Sequence, residues 1–444
     1  MKMHQNIENF LNKSFLSTLL LSLLPISFIL GNLAINFNIV LIIFLSLFIF
    51  VKDDLKFKLI FFDKLLLIYF FYVFLIGLLN YVESIQISQN SQIIIKTISY
   101  FRYLMLYFAV RFLIFKNLIN FKNFFYICSL CVLFVSLDII YQFNFGKDIF
   151  GFEGVSRRLS GPFGDELVAG SYLYRFSFFL IFLFFTLDYF KKINGKIKFL
   201  LFCIISIIIS LGLILAGNRV PFFIFLFTAI LIFLINKKDR LYFLSLFIIS
   251  VGTLMIMVNL NLEIKKHYGH FQTKVINLFK PFSSDKIIIF KDNKNPTPDE
   301  KNYTITLNGK NYSLSSGHVK EFYSGYKTWY SNKFLGGGVK TFRFNCPKVF
   351  HNCNTHPHNY YLEILTDLGA VGLLMVFSFF IFLIYKSLLI NNTTINPFLF
   401  VFIGEILPFK STGSFFTTSN STYIFLLIAV IISISVKKRF ELNL

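Results

Sequence analysis

The sequence is poor in charge and in the motifs of nucleotide enzymes. Charged residues make up 15% of its 444 positions, with 22 acidic residues against 43 Lys and Arg. It has neither a Walker sequence nor a strand-borne dinucleotide fingerprint, so ATP hydrolysis is not expected. Apart from Asp165 and Glu166, no acidic pair with metal-ligand spacing occurs in a predicted outer segment. The net charge of +21 is not pooled in one patch, so we expect no nucleic-acid partner.

Apolar residues dominate instead. The chain is 56% hydrophobic and contains 63 Phe, and its mean hydropathy is +0.68. Apolar runs of about 20 residues, each long enough to cross the hydrocarbon layer as a helix, recur from end to end. The pattern predicts an all-α polytopic membrane protein with about twelve spans. They centre near Leu23, Ile43, Ile68, Leu104, Leu133, Ile181, Ile208, Phe227, Ile249, Met375, Val401 and Leu427.

The positions of Lys and Arg predict the orientation. Basic residues collect in every second loop, near 52–64, 111–122, 191–198, 237–240, 386 and 437–439. The intervening connections near Asn32 and Val82 have none, and the positive-inside rule therefore places both termini in the cytoplasm. The first apolar run follows Lys2 and Lys13 but lacks a small-x-small cleavage site, so we interpret it as an uncleaved helix.

Three polar segments then fall on the outer face. They are the loop near 144–168, the turn 216–221, and a long segment that ends at Pro357. In the long segment, Asn308-Gly309 between two alternating runs indicates a hairpin with a type I′ turn, and residues 317–332 favour a helix. We predict a bundle of about nine helices over 1–261, a small mixed α/β outer domain over 262–357, and about three helices over 358–444.

His358 lies where the long segment meets an apolar span. We predict that it starts a helix in which positions 358, 362, 365, 369 and 372 share one face. Gly369 and Gly372 would let another helix approach, turning that face and the imidazole toward the bundle interior. The helix N-terminus should keep the ring neutral, and a neutral imidazole can act as a general base. The alternative is a structural His at the interface, next to a capping Asn359.

Arginines in the predicted outer segments depart from the positive-inside rule. Arg219 belongs to a turn of a few residues, and Arg157 and Arg158 lie in the first outer loop. A set of guanidiniums suits bidentate binding of a phosphate or diphosphate. For Arg219 alone, a snorkelling anchor is an equal alternative.

Cys346 and Cys353 are the cysteines of the long outer segment. In an oxidising compartment they predict a disulfide just before His358. The alternative is a metal site that also uses His351, His356 and His358, but this spacing matches no standard zinc pattern. Gly336-Gly337-Gly338, followed by Lys340 and Arg343, could cradle a phosphate, although three glycines alone are a weak signal.

Several of these motifs together resemble the O-antigen ligase family, which also includes O-antigen polymerases and protein O-oligosaccharyltransferases. The matching pieces are Arg158–Glu166 (RLSGPFGDE), Gly217-Asn218-Arg219, Asn332–Gly338 (NKFLGGG) and His356-Pro357-His358-Asn359, with Gly369-x-x-Gly372-Leu373 behind them. About twelve spans with one large outer loop before the His motif match as well. The resemblance covers most of the chain.

The resemblance implies a glycosyltransferase with a fold similar to integral-membrane glycosyltransferases of the C type. Such enzymes act at the periplasmic face of the bacterial inner membrane without a metal or other cofactor. His358 would match the acceptor base and Arg219 a diphosphate-binding arginine, with Arg158 as the match in the first loop. Where relatives often have a further arginine, this chain has His318 and Lys320, and Arg343 is another source of the charge. The remaining candidate substrate-binding residues are Arg157, Glu166 and Asn359.

The expected reaction uses an undecaprenyl-diphosphate-linked glycan as donor. The acceptor oxygen, freed of its proton by His358, would displace the diphosphate and invert the anomeric centre. We expect O-antigen ligation onto lipid A-core, with polymerisation onto a growing glycan as the alternative within the same superfamily. From another class, a flippase or transporter of lipid-linked glycans stays open, because Lys96, Arg102 and Arg175 lie within predicted spans.

Overall fold

The computed structural model is built almost entirely of helices. It describes residues 2–52, 58–83, 87–154, 158–186, 192–269, 289–290, 303–307, 310–314, 317–350, 353–390, 395–408, 410 and 413–442. The helices are α1 (Lys2–Ser22), α2 (Leu24–Leu30), α3 (Asn32–Lys52), α4 (Phe61–Glu83), α5 (Ile87–Tyr100), α6 (Arg102–Phe115), α7 (Phe121–Phe145), α8 (Ala169–Thr186), α9 (Gly195–Leu215), α10 (Arg219–Ile235), α11 (Arg240–Leu260), α12 (262–269), α13 (Gly317–Ser331), α14 (Phe342–Val349), α15 (Tyr360–Ile390), α16 (Asn396–Glu405) and α17 (Thr418–Leu442). The strands are β1 (Ile289–Phe290), β2 (Tyr303–Leu307) and β3 (Lys310–Leu314).

Ten spans in the described part of the chain are long and apolar enough to cross a membrane. The prediction of an all-α polytopic membrane protein is thus confirmed. Two of the twelve predicted spans are shorter than expected: α10 has 17 residues and α16 has 10. At 1.5 Å per residue, α16 covers about 15 Å, half of the hydrocarbon layer. Residues 406–408, which follow α16, are not helical.

Aromatic side chains fill the interior of the bundle. α17 packs along α6, where the ring of Phe425 stacks on Tyr103 and lies edge-on to Tyr100. Other large apolar side chains point outward, among them Phe44 and Leu374, which are 67% and 69% exposed. In water such exposure would be costly, whereas against lipid chains it is neutral. The outward-facing apolar surface therefore fits a membrane-embedded bundle.

The predicted hairpin is confirmed. β2 pairs antiparallel with β3, and Leu307 lies opposite Lys310, which leaves two residues for the turn. The turn residues Asn308 and Gly309 lie outside the described residues. β1, which the pattern did not predict, pairs with β2. The helix predicted over 317–332 is present as α13.

α15 is broken one third of the way along. Gly369 has φ 68° and ψ −172°, which is not helical. The loop at 333–338 fills the break: the N–H groups of residues 370 and 371 donate to the carbonyls of Lys333 and Phe334, and those of residues 337 and 338 donate to the carbonyls of Thr366 and Asp367. This glycine loop and the broken helix therefore pair each other's backbone N–H and C=O groups.

Replacing Gly369 with alanine is expected to destabilise the protein by about 2 kcal/mol or more, because the position needs a glycine-only conformation. An added Cβ would also collide with the backbone of Phe334. Thermal unfolding in detergent is the measurement. Gly252→Ala in α11 is the matched control, since a Cβ there meets nothing within 4 Å. Unfolding of both variants at the wild-type temperature would contradict the proposed interlock.

Candidate functional site

His358 lies just before α15, not inside it. Its φ is +53°, a left-handed conformation that is rare for a residue with a side chain, and the helix begins at Tyr360. Gly369, which was to lie below it on the same face, is the helix break. The prediction of one helical face from 358 to 372 is therefore wrong. The imidazole is instead held by the loop, half-buried above the helix N-terminus.

Asn359 fixes the chain next to His358. Its Oδ1 accepts hydrogen bonds from the N–H groups of Tyr361 and Leu362 at 3.0 and 3.1 Å, which caps α15. Its Nδ2 donates to the carbonyl of Pro408 at 2.7 Å and to that of Lys410 at 3.3 Å. Both ends of the Asn359 amide thus bond to protein, and the residue ties the His motif to the segment 406–417.

Two polar neighbours surround the His358 ring. The ring of His356 lies 4.3 Å away, centroid to centroid. The amide nitrogen of Asn354 is 3.5 Å from Nε2 of His358 and donates to Oε1 of Glu321 at 2.6 Å. An amide N–H can only donate, so Nε2 of His358 is the acceptor in this long contact.

Burial lowers the pKa of His358 below its ordinary value. The same cause, together with the charges of His358, Arg343 and Lys340, lowers the pKa of His356 to about 4. Both rings are therefore neutral at neutral pH. The sequence prediction of a neutral His358 agrees in direction, although burial, and not the helix N-terminus, is the cause.

The loop that carries the His motif is anchored from two sides. Cys346 on α14 forms a disulfide with Cys353, as the cysteine pattern predicted. Pro357 packs against Gly325 of α13, where an added Cβ would lie 3.0 Å from the proline ring. The competing prediction of a metal site that uses these thiols is wrong, because the sulfurs are joined to each other. His351 lies outside the described residues.

The glycine loop does not cradle a phosphate with its backbone. The N–H groups of Lys340 and Phe342 donate to the Asp367 carboxylate at 2.6 and 3.1 Å, and those of Gly337 and Gly338 are used by α15. What the loop presents is the side chain of Lys340, whose residue has φ +61°. Lys340 and Arg343 both act electrostatically on His356. The structure thus brings predicted Arg343 to the His motif, together with Lys340.

Arg219 is the first residue of α10. Its Nη1 donates to the carbonyl of His267 on α12 at 3.3 Å. The His267 ring is in turn 2.9 Å from the Gly217 carbonyl through Nε2. The turn 216–221 and α12 thereby hold each other, and the guanidinium is partly exposed. Sequence reasoning missed His267 because it lies 48 residues away along the chain.

Arg158 and Glu166 are exposed in the first outer loop. α7 organises that loop: the side chain of Gln142 donates to the Phe152 carbonyl at 3.0 Å and accepts from the Gly161 N–H at 2.9 Å. Three other candidates are not positioned. Arg157 lies outside the described residues, and so do the side chains of His318 and Lys320, whose backbones belong to the first turn of α13.

A buried charge network beneath the His motif was not foreseen. Arg175 of α8 donates to both carboxylate oxygens of Glu405, at 2.6 and 3.2 Å. Lys410 and Tyr360 donate to the same carboxylate at 2.6 and 2.7 Å. The Glu405 side chain is 0% exposed. Arg175, one of the charges that suggested a transporter, is thus part of a structural ion pair.

A comparison with protein families matches one segment of the chain. The model of the O-antigen ligase family covers residues 203–377. That stretch begins in α9 and ends in α15, and it includes Arg219, Arg343 and His358. No curated protein matches the sequence. Through the segment 203–377, the chain is similar to the O-antigen ligase family.

Proposed function

We propose that the protein transfers a glycan from an undecaprenyl-diphosphate carrier to an acceptor hydroxyl, with lipid A-core as the acceptor. The match of residues 203–377 to the O-antigen ligase family model supports a glycan-transferring enzyme of ligase or polymerase type. The observation that carries the finer proposal is the placement of His358. A neutral imidazole with Nε2 in an accepting role stands above the capped end of α15, in the family segment that also contains Arg219.

In the proposed reaction, Nε2 of His358 removes the proton of the acceptor hydroxyl. The oxygen attacks the anomeric carbon of the donor, and the bond from that carbon to the diphosphate oxygen breaks. The electron pair leaves with the lipid diphosphate, whose negative charge Arg219 and Arg158 stabilise. One displacement of this kind inverts the anomeric centre. The residues act without a metal in this scheme.

Residues at the two ends of α4 and α17 support the proposed orientation of the protein in the membrane. Asn80 of α4 and Thr418 of α17 lie at the end that carries the site, where they bond to Gly336 and Arg102. At the opposite ends of the same helices lie the Lys-rich and Arg-rich loops, including Lys437. By the positive-inside rule those loops face the cytoplasm. These features support a site at the periplasmic face of the inner membrane, with residues 262–357 as a periplasmic domain.

The test is reconstitution of the full-length protein in liposomes with a labelled lipid-linked donor and lipid A-core. The proposal predicts labelled lipopolysaccharide and one equivalent of free undecaprenyl diphosphate. A polymerase would lengthen the glycan on the donor without needing lipid A-core. A transporter would move intact donor across the bilayer and release no lipid diphosphate, which would contradict the proposal.

A further inference from the structure

Four cationic side chains from two stretches of the chain, 96–102 and 340–343, lie close enough to influence one another beside the His motif. Gly338 packs on Ile93 of α5, and a Cβ added to Gly338 would lie 3.3 Å from the Ile93 side chain. This contact brings the following residues of the glycine loop to α5, on which Lys96 lies one turn beyond Ile93. Burial lowers the pKa of Lys340, and the Glu363 carboxylate opposes that shift. The positive charges of Lys96, Arg343 and Arg102 lower the pKa of Lys340 further. We call Lys96, Arg102, Lys340 and Arg343 the basic cluster.

The basic cluster has more positive than negative charge. Glu363 is the acidic group that acts on Lys340, but its carboxylate accepts from the Ser414 hydroxyl at 2.6 Å and from the Phe415 N–H. Within the described residues, no carboxylate lies within ion-pair distance of Lys96, Arg102, Lys340 or Arg343. Cations gathered without counter-charges repel one another, which destabilises the protein unless an anion binds.

Polar atoms in and beside the basic cluster also lack partners among the described residues. The guanidinium of Arg102 donates to the Ser99 carbonyl at 2.9 Å and to hydroxyls of Tyr103 and Thr418 at 2.6 and 3.3 Å. Its Nε is buried and has no hydrogen-bond partner among the described residues, and the same holds for Nε2 of His356. Buried polar atoms are normally paired. Two such atoms next to spare positive charge indicate a site that a ligand completes.

The position of the basic cluster beside His358 indicates which substrate the cluster binds. Lys340 and Arg343 act on His356, whose ring is 4.3 Å from that of His358. A general base must lie within hydrogen-bond distance of the acceptor hydroxyl. In an inverting displacement, the leaving group departs from the opposite face of the anomeric carbon. The proposed reaction assigns that leaving group to Arg219, and we therefore assign the basic cluster, which lies beside the base, to the acceptor.

We infer that Lys96, Arg102, Lys340 and Arg343 form a second anion site, which binds a phosphate group on the acceptor and so selects phosphorylated acceptors. Guanidinium and ammonium groups around one position suit a doubly charged phosphate. This inference rests on the proposed function and deepens it. It assigns the selection of the acceptor to residues of α5, α6, the glycine loop and α14.

The test uses the full-length protein in nanodiscs and the double variant Lys96→Gln/Arg343→Gln. Both side chains are exposed, so the variant should fold. Two acceptor preparations are compared: core lipopolysaccharide with its phosphates, and the same material after phosphatase treatment. We expect KM for the phosphorylated acceptor to rise about tenfold, as for the loss of charge-assisted hydrogen bonds, with kcat unchanged. KM for the dephosphorylated acceptor and the Kd for undecaprenyl diphosphate should not change.

Lys348→Gln on the same helix as Arg343 is the matched control and should leave all of these constants at wild-type values. A weaker Kd for undecaprenyl diphosphate in the double variant would overturn the inference, because the basic cluster would then bind the donor. Equal changes for both acceptors, or none, would overturn it as well. In each of these outcomes the wild type still makes product. An inactive wild type would instead count against the proposed function itself.

Discussion

Replacing His358 with alanine is expected to lower the rate of glycan transfer by about 10²- to 10⁴-fold, the usual contribution of a general base. The donor should still bind, because the diphosphate contacts are assigned to Arg219 and Arg158. The measurement is the release of lipid diphosphate from labelled donor by the reconstituted variant. In cells, the same variant should yield lipopolysaccharide without its O-antigen cap on a gel.

His356→Ala is the matched control, because it removes a neighbouring imidazole and keeps His358. The pKa of His356 is lowered to about 4, which makes it a much weaker base than an ordinary imidazole. We expect a smaller loss, of about tenfold or less. If His358→Ala transferred glycan at the wild-type rate, or if His356→Ala had the larger effect, the assignment of the base would be wrong.

Glu405→Gln is expected to destabilise the fold by about 3–5 kcal/mol, because it leaves the buried cations Arg175 and Lys410 without their carboxylate. The damage should extend to the site. Lys410 belongs to the segment 406–417, whose carbonyls at Pro408 and Lys410 hold the Asn359 side chain. Thermal unfolding of the purified variant, measured together with its transfer rate, should show both losses.

Glu153→Gln removes the carboxylate of an ion pair with Lys147. The side chains of Lys147 and Glu153 are 59% and 73% exposed, respectively. Surface pairs contribute about 0–1 kcal/mol, so this control should unfold near the wild-type temperature. Adding Arg175→Gln to Glu405→Gln should restore part of the lost stability, since the unpaired guanidinium is then removed as well. A Glu405→Gln protein as stable as the wild type would contradict the role given to the network.

Features with local causes could be predicted from the sequence. Long apolar runs predicted the spans, Asn308-Gly309 predicted the pairing of β2 with β3, and two outer cysteines predicted the disulfide. Each signal is contained in a short stretch of chain. For the same reason His358, at the boundary of a polar and an apolar stretch, was identifiable as a candidate without a structure.

Features with distant causes could not be predicted. The helix break at Gly369 is stabilised by a loop that ends 31 residues earlier, and helical periodicity cannot report it. α16 reads as an ordinary apolar span, although it ends after ten residues where Glu405 meets Arg175. Lys96 and Arg102 fall in apolar stretches and suggested a transport path. Their neighbours Lys340 and Arg343 come from a segment more than 230 residues further on.

The pairing of Arg175 with Glu405 also has a consequence for how the protein is made. The two residues are 230 positions apart, and at about 5–20 residues per second the ribosome needs about 10 to 50 s to travel from one to the other. A lone Arg at the centre of a span costs about 2.5–3.5 kcal/mol to insert. During that interval α8 carries this cost without the carboxylate that offsets it. We therefore expect α8 to reach its final packing only after α16, which contains Glu405, has entered the bilayer.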